Sequence, residues 1–441
     1  MNCMSVTSLP ITEKSVNIGH RPETGPDHIA AVPKAKPKNW RVIHACEYAR
    51  DVLPVVEGQV NAGMRPYIVT PQGAGTAELY RAQKNPETRQ TLSLLRAWQD
   101  VRNWRKSLLE CDPESSADII HSHSFASGMA AVRNFSCVVY DAAACIEELA
   151  VSAGQCEKGS WMARSFRVAE QFILSHAEAM IVHSSGMKAA VEERGGVPEG
   201  IFLIPEPMEM DPESPLPGSS FLQERLGIEN HTVTYFVPWA SGAEQHKLSD
   251  SLAAVLEAFA FVAHELSDAA LFMQAAGTVA ETLRAYAERF GIPKCVFVVE
   301  ETDAAAVMQS ADVVITTGET PLDPVIGRQA NEICVKSLWR GKPLLSADVA
   351  RNRDCSPDGR GCLWFKEGDV KDLSHRMAFL GRNPDFRAAL ALAGRTYIME
   401  TRNITAVGHQ HDEAYHYALR HKKSGRTGQN MISLQPAISA L

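Results

Sequence analysis

Apolar and polar positions along this 441-residue chain fall into one repeating rhythm. Short β-branched runs alternate with longer amphipathic stretches, a pattern that predicts strands buried on both faces and helices laid over them. Strands are predicted at Arg41–Ala45, Arg65–Thr70, Asp118–His123, Cys137–Asp141, Ala179–Ser184 and Ile201–Pro205. A Pro/Ser/Gly-rich break follows at Met210–Ser219 and reads as an interdomain linker. The rhythm then restarts with strands at Thr232–Val237, Ala270–Gln274, Val296–Glu300, Asp312–Thr317 and Leu344–Ala347. Helical periodicity separates most of them, including Val55–Ala62 and Leu92–Leu109, and a final helical run covers Asp385–Leu419. Strands alternating with helices over this length predict parallel, doubly wound sheets: an α/β protein of two Rossmann-like domains facing a cleft.

The boundaries expected are a leader at 1–38, an N-terminal domain at 39–209, a linker at 210–222 and a C-terminal domain at 223–395. A helix at 396–420 packs back across the domains, and 421–441 is a tail. The leader is polar and punctuated by proline, with no charged-then-apolar signal pattern.

Composition narrows the class. With 45% hydrophobic and 22% charged residues the chain can bury sizeable cores. A net charge of -8 argues against a general nucleic-acid binder. No apolar run is long enough to span a bilayer; the best, Leu252–Val262, is interrupted by Glu257. Ten cysteines occur without a CxxC pair and read as buried thiols of a reducing cytosol, although Cys355 and Cys362 flank a turn-like SPDGRG.

Three chemistries are disfavoured by missing motifs. There is no GxxxxGK[S/T] for a P-loop and no GxSxG nucleophile elbow. Gly73 and Gly75 follow a strand, but Glu78 stands where a dinucleotide fingerprint needs its third glycine. The unit Ala311–Asp348 draws attention instead. It reads as strand, glycine- and proline-bearing loop, helix and strand, and a helix N-terminus at the carboxyl end of a strand suits a phosphate.

The order of segments resembles the group 1 (family 4) nucleotide-sugar glycosyltransferases of the GT-B fold. The resemblance spans roughly Arg41–Leu419. It rests on DIIHSHS at Asp118–Ser124, Glu170 with HAEAMIVHSS to Ser185, and IPEPME at Ile204–Glu209. In the second half it rests on HKLSDSLAAVLEAF at His246–Phe259, ADVVITTGE at Ala311–Glu319 and SLWRGKPLLSAD at Ser337–Asp348. It implies a sugar moved from a nucleotide-sugar donor, bound in the C-terminal domain, to a polysaccharide, lipid-linked or other glycan acceptor on the N-terminal one, without cofactor or metal. Lys247 matches the family's phosphate-binding lysine, and Gly277 lies at the turn where backbone approaches the nucleotide. Arg328 and Lys336 stand where two glutamates eight positions apart are usual; Glu319, Asn331 and Glu332 are donor-side candidates beside them. The arginine that accompanies the lysine is missing around Gly242, Ala142–Ala144 replace a histidine, and CEYARD at Cys46–Asp51 replaces a glycine-rich loop. These departures keep a second expectation open, a catalytically inactive GT-B protein acting as a binding or partner subunit.

On the acceptor side the candidates are His121, His123 and Asp141. The two histidines are expected on opposite faces of their strand, one toward the cleft and the other in a core or capping role. His409, Glu413 and His416, with His411 nearby, share a helical face that reads as exposed, not metal-binding. The stretch Thr91–Leu109 has an apolar stripe bordered by Arg96, Arg102 and Lys106. Either that stripe packs on the sheet, or the helix lies on an anionic membrane. The expected location is therefore cytoplasmic, with peripheral contact at the inner membrane face as the alternative.

Overall fold

The computed structural model describes residues 40–47, 49–70, 73–75, 94–114, 116–208, 222, 233–238, 249–318 and 327–422. The first sheet contains β1 (Arg41–Ala45), β2 (Arg65–Thr70), β3 (Gly73–Gly75), β4 (Ile119–Ser122), β5 (Val138–Asp141), β6 (Ala179–Val182) and β7 (Ile201–Leu203). Its order is β3-β2-β1-β4-β5-β6-β7, parallel apart from the edge strand β3. The second contains β8 (Val233–Val237), β9 (Ala269–Gln274), β10 (Val296–Val299), β11 (Val313–Thr316), β12 (Leu344–Ala347) and β13 (Cys362–Phe365). Its order is β10-β9-β8-β11-β12-β13, parallel throughout. Both sheets reverse direction beside their first strand, between β1 and β4 and between β8 and β11. That makes each a doubly wound, Rossmann-like unit with its ligand-bearing crevice at the carboxyl edge.

Period-two alternation assigns each strand residue to a face. On β1, Ile43 and Ala45 look toward helices Leu94–Cys111 and Phe125–Asn134, sharing a core with Val101, Trp104, Leu108 and Met129. Val42 looks the other way, into a core shared with Ile119, Val139, Ile181 and the Val407, Ala414 and Tyr415 side chains of the last helix. That second face carries the polar row described below.

The final helical run is two helices, Pro384–Thr401 and Ile404–Arg420. It breaks where Asn403 Oδ1 accepts from the Ala406 N–H at 2.8 Å. Ile398 of the first helix packs in the C-terminal half, whereas the second lies on the first sheet. Helix Ala49–Asn61 begins well before Val55, because Pro54 is tolerated inside it. β3 and β13 are unanticipated edge strands; each is only three or four residues long and adjoins glycine-rich sequence.

Helix Leu94–Cys111 decides between its two readings. Val101, Trp104 and Leu108 are buried, Trp98 is half-buried beside the Arg133 guanidinium at 5.7 Å, and Arg102, Asn103, Arg105 and Lys106 face solvent. From Trp98 onward the described helix has no continuous exposed apolar face, and its apolar stripe packs in the core of the first sheet. No described helix is long and apolar enough to cross a membrane. The nine described cysteines are all free thiols.

Candidate functional site

The two carboxyl edges meet directly. Ser185, just after β6, donates its N–H and hydroxyl to Asp354 Oδ2 at 3.0 and 3.1 Å, and Asp354 ends the short helix after β12. This contact joins a loop at the end of the first sheet to one at the end of the second.

On the C-terminal side, side chains hold the loops at the strand ends. Glu367, after β13, accepts from Ser251 Oγ at 2.6 Å and from the Gly318 N–H at 3.0 Å. A Cβ at position 318 would sit 2.8 Å from the Glu367 carboxyl carbon, so a side chain there would displace that carboxylate. Asn352 donates to the carbonyls of Thr317 and Ala347 at 3.3 and 3.2 Å, tying the ends of β11 and β12 together. Helix Gly277–Arg289 starts without a side-chain cap. Gly277 holds φ +56, with open space where a Cβ would stand. A helix start at the carboxyl end of a strand suits an anion.

The other donor-side candidates are placed unevenly. Lys247 and Glu319 lie outside the described residues. Arg328, Asn331 and Glu332 sit in the opening turns of helix Gly327–Trp339, where the side chains are not described. Lys336 is half-buried in the last turn of that helix, nine residues from its start. At 1.5 Å per residue it is set back about 13 Å along the axis from the helix start.

The N-terminal side is built more fully. Four parallel strands end in polar residues on one face: His44 on β1, His121 with His123 just beyond β4, Asp141 on β5 and His183 just beyond β6. Asp141 accepts from His123 Nδ1 at 3.0 Å and from His183 Nε2 at 2.9 Å. His44 Nδ1 lies 3.0 Å from His123 Nε2, and His44 Nε2 faces Gln59 Oε1 at 2.8 Å. Tyr415, from the last helix, meets His121 Nδ1 at 2.8 Å and receives the Gln59 side-chain N–H at 2.8 Å. His411 adds a fifth imidazole, its ring 5.7 Å from that of His121.

The expected divergence of His121 and His123 is therefore wrong. Residues two apart on a strand share a face, and the two rings are 4.0 Å apart. His411 is not on an exposed face either: it is 2% exposed and bonded to the Val407 carbonyl.

Charge in this row is concentrated in one pair. Burial opposes the charged form of His183, but the Asp141 carboxylate outweighs it and lifts that imidazole to about 9. Burial likewise pushes Asp141 up, yet His183 and the hydrogen bonds from both histidines hold it well below the usual carboxylate range. Burial lowers His44 and His121 well below the ordinary imidazole value and takes His411 to about 4. The result is a His183–Asp141 ion pair, with burial favouring the neutral form of His44, His121 and His411 around it.

Of the three acceptor-side candidates, the structure brings all together. Sequence reasoning missed His44, Gln59, His183, His411 and Tyr415.

With this geometry in view, the chain can be placed: it is an α/β protein of the GT-B fold. More particularly, residues 47–207 match the glycosyl transferase 4-like domain. Among solved structures it is similar to a glycosyltransferase from Rickettsia africae, at 11% identity and TM-score 0.59, covering 87% of this chain and 99% of that one. Anabaena HepE in complex with UDP and glucose is similar at 15% identity and TM-score 0.51, covering 85% and 99%. Sucrose-phosphate synthase from Thermosynechococcus elongatus is similar at 15% identity and TM-score 0.51, covering 86% and 98%. No curated protein sequence matches the chain.

Proposed function

We propose that the protein is a glycosyltransferase that moves a sugar from a nucleotide-sugar donor to a glycan or lipid-linked acceptor. The observation that carries this reading is a glycosyl transferase 4-like N-terminal domain set edge to edge with a second Rossmann-like domain. Departure of a nucleoside diphosphate builds negative charge as the anomeric carbon becomes oxocarbenium-like. Uncapped backbone N–H groups such as those at Gly277, together with a cation, offset that charge. Lys247 is the cation proposed for the diphosphate, and the polar row around His123 and Asp141 faces the acceptor. HepE was crystallised with UDP and glucose, which makes a UDP-sugar the first donor to try.

The test is a thermal-shift panel of UDP-, GDP- and ADP-sugars, since a ligand of the folded state stabilises by RT ln(1 + [L]/Kd). One class is expected to raise Tm, and Lys247→Ala to weaken its binding about tenfold to a hundredfold. A flat response to every nucleotide sugar would overturn the proposal in favour of a silent partner subunit, the reading favoured by Arg328 and Lys336 in place of glutamates. Lys336 set back from the helix start points the same way.

A further inference from the structure

We propose that His44, His121 and His123 form a binding site for one divalent transition-metal ion of the zinc class, beneath the last helix. Each ring offers one nitrogen, and these three atoms lie within 4.8 Å of one another. The proposal rests on these rings and their partners, and does not require glycosyl transfer.

The outer partners assign the ring protons. Asp141 Oδ2 accepts from His123 Nδ1, so in the neutral ring the lone pair of His123 is on Nε2. Gln59 Oε1 accepts from His44 Nε2, which leaves His44 Nδ1 as a lone pair. Two lone pairs then face each other at 3.0 Å, an arrangement that calls for a cation between them. The third ligand is an independent observation. His121 is 0% exposed, and its Nε2 has no hydrogen-bond partner. Its Nδ1 meets the Tyr415 hydroxyl at 2.8 Å, and in the tautomer where Nδ1 donates to that oxygen, as Gln59 does, Nε2 carries a lone pair with no partner.

Ion and ligands match in kind and scale. Neutral imidazoles suit zinc and its neighbours, and carboxylate or amide acceptors behind ligating rings are the usual outer shell. Tetrahedral zinc with bonds near 2.05 Å needs nitrogens about 3.3 Å apart, close to the His44–His123 separation. The side chains of His123 and Asp141 are 10% and 12% exposed, so water can reach the site and supply a fourth ligand. The ion would join β1 and β4, and through Gln59 and Tyr415 the last helix.

The experiment uses the full chain, stripped with EDTA, dialysed against zinc chloride and assayed for bound metal by mass spectrometry and chelator competition. One zinc per chain with micromolar or tighter affinity is expected. His121→Ala and His123→Ala should each weaken it about tenfold or more, with circular dichroism confirming the fold. His409→Ala, on the exposed side of the same helix, should retain it. Cobalt(II) added to the unaltered chain should give the intense visible bands of a four-coordinate site, a readout that needs no variant. Failure of the unaltered chain to retain zinc would overturn the proposal and leave only a proton between the rings. So would equal retention by both variants, or a cobalt spectrum typical of six-coordinate, water-rich binding.

Discussion

Glu170 is the carboxylate whose ionisation is most exposed to test by pH. It is 2% exposed, accepts the Ile146 N–H at 3.1 Å, and has Arg194 Nε 3.6 Å from its other oxygen. Burial pushes it up from the ordinary 4.5 to about 7, outweighing both the hydrogen bond and the arginine. Between those values the folded chain holds more protons than the unfolded one. Its contribution to stability is therefore complete below about pH 4.5 and is lost as pH rises through about 7, a span of about 3 kcal/mol at most. Glu170→Gln keeps the acceptor for Ile146 but cannot ionise. Urea midpoints should fall from mildly acidic to mildly alkaline pH in the parent and much less in the variant. Equal slopes would show that Glu170 is ionised throughout. At this same scale the candidate site was only partly legible in the sequence. RVIHA, DIIHSH, VVYD and AMIVHS all carry His or Asp within their last two residues, so the polar row was written near the strand ends. What the strings lacked was register: His44 lies opposite His121 only because β1 pairs with β4. Gln59 and Tyr415 are 356 positions apart and meet through helix packing that no local pattern encodes.

Strands were the most legible elements, because a run buried on both faces leaves little alternative to a parallel sheet. β1, β2 and β12 fall at the bounds expected from their apolar runs. Helix ends were harder: the break at Arg402–Asn403 rests on one cap, which apolar periodicity passes over. Helix packing was the least legible, and the crossing of Ala49–Asn61 by the last helix shows why. Gly58 and Gly408 meet face to face, and a Cβ on Gly408 would come 2.6 Å from the Gly58 carbonyl carbon. The approach is backbone on backbone, so neither side can yield by rotating a side chain. Alanine normally favours a helix interior over glycine by about 1 kcal/mol. Here overpacking should reverse the sign, and Gly408→Ala should destabilise by about 1–3 kcal/mol. Chemical denaturation reads this directly; a variant as stable as the parent would mean that the crossing is looser than the structure has it.

At the scale of the whole molecule, a half-buried polar contact ties the two carboxyl edges. Asp354 Oδ2 takes both the backbone N–H and the hydroxyl of Ser185, while the Asp354 carbonyl receives Arg402 Nη2 at 3.3 Å. The Arg402 carbonyl in turn accepts the Met208 N–H at 3.0 Å, so the turn between the last two helices touches the end of the first half as well. Burial raises the Asp354 carboxyl above its ordinary value, opposed by the Ser185 hydrogen bonds and Arg402. The pair thus works against desolvation and depends on both donors staying in place. Asp354→Ala removes the acceptor and leaves the Ser185 N–H without its partner, a loss of about 1–3 kcal/mol from a contact that joins the halves. Amide exchange should accelerate in Ser185–Glu193 and Ala350–Arg353 together, with little change in the strands of either sheet. Asp354→Asn, which keeps an acceptor oxygen, should restore part of the protection. Unchanged exchange in both segments of the alanine variant would show that the halves are held by other contacts and that this one follows from their packing.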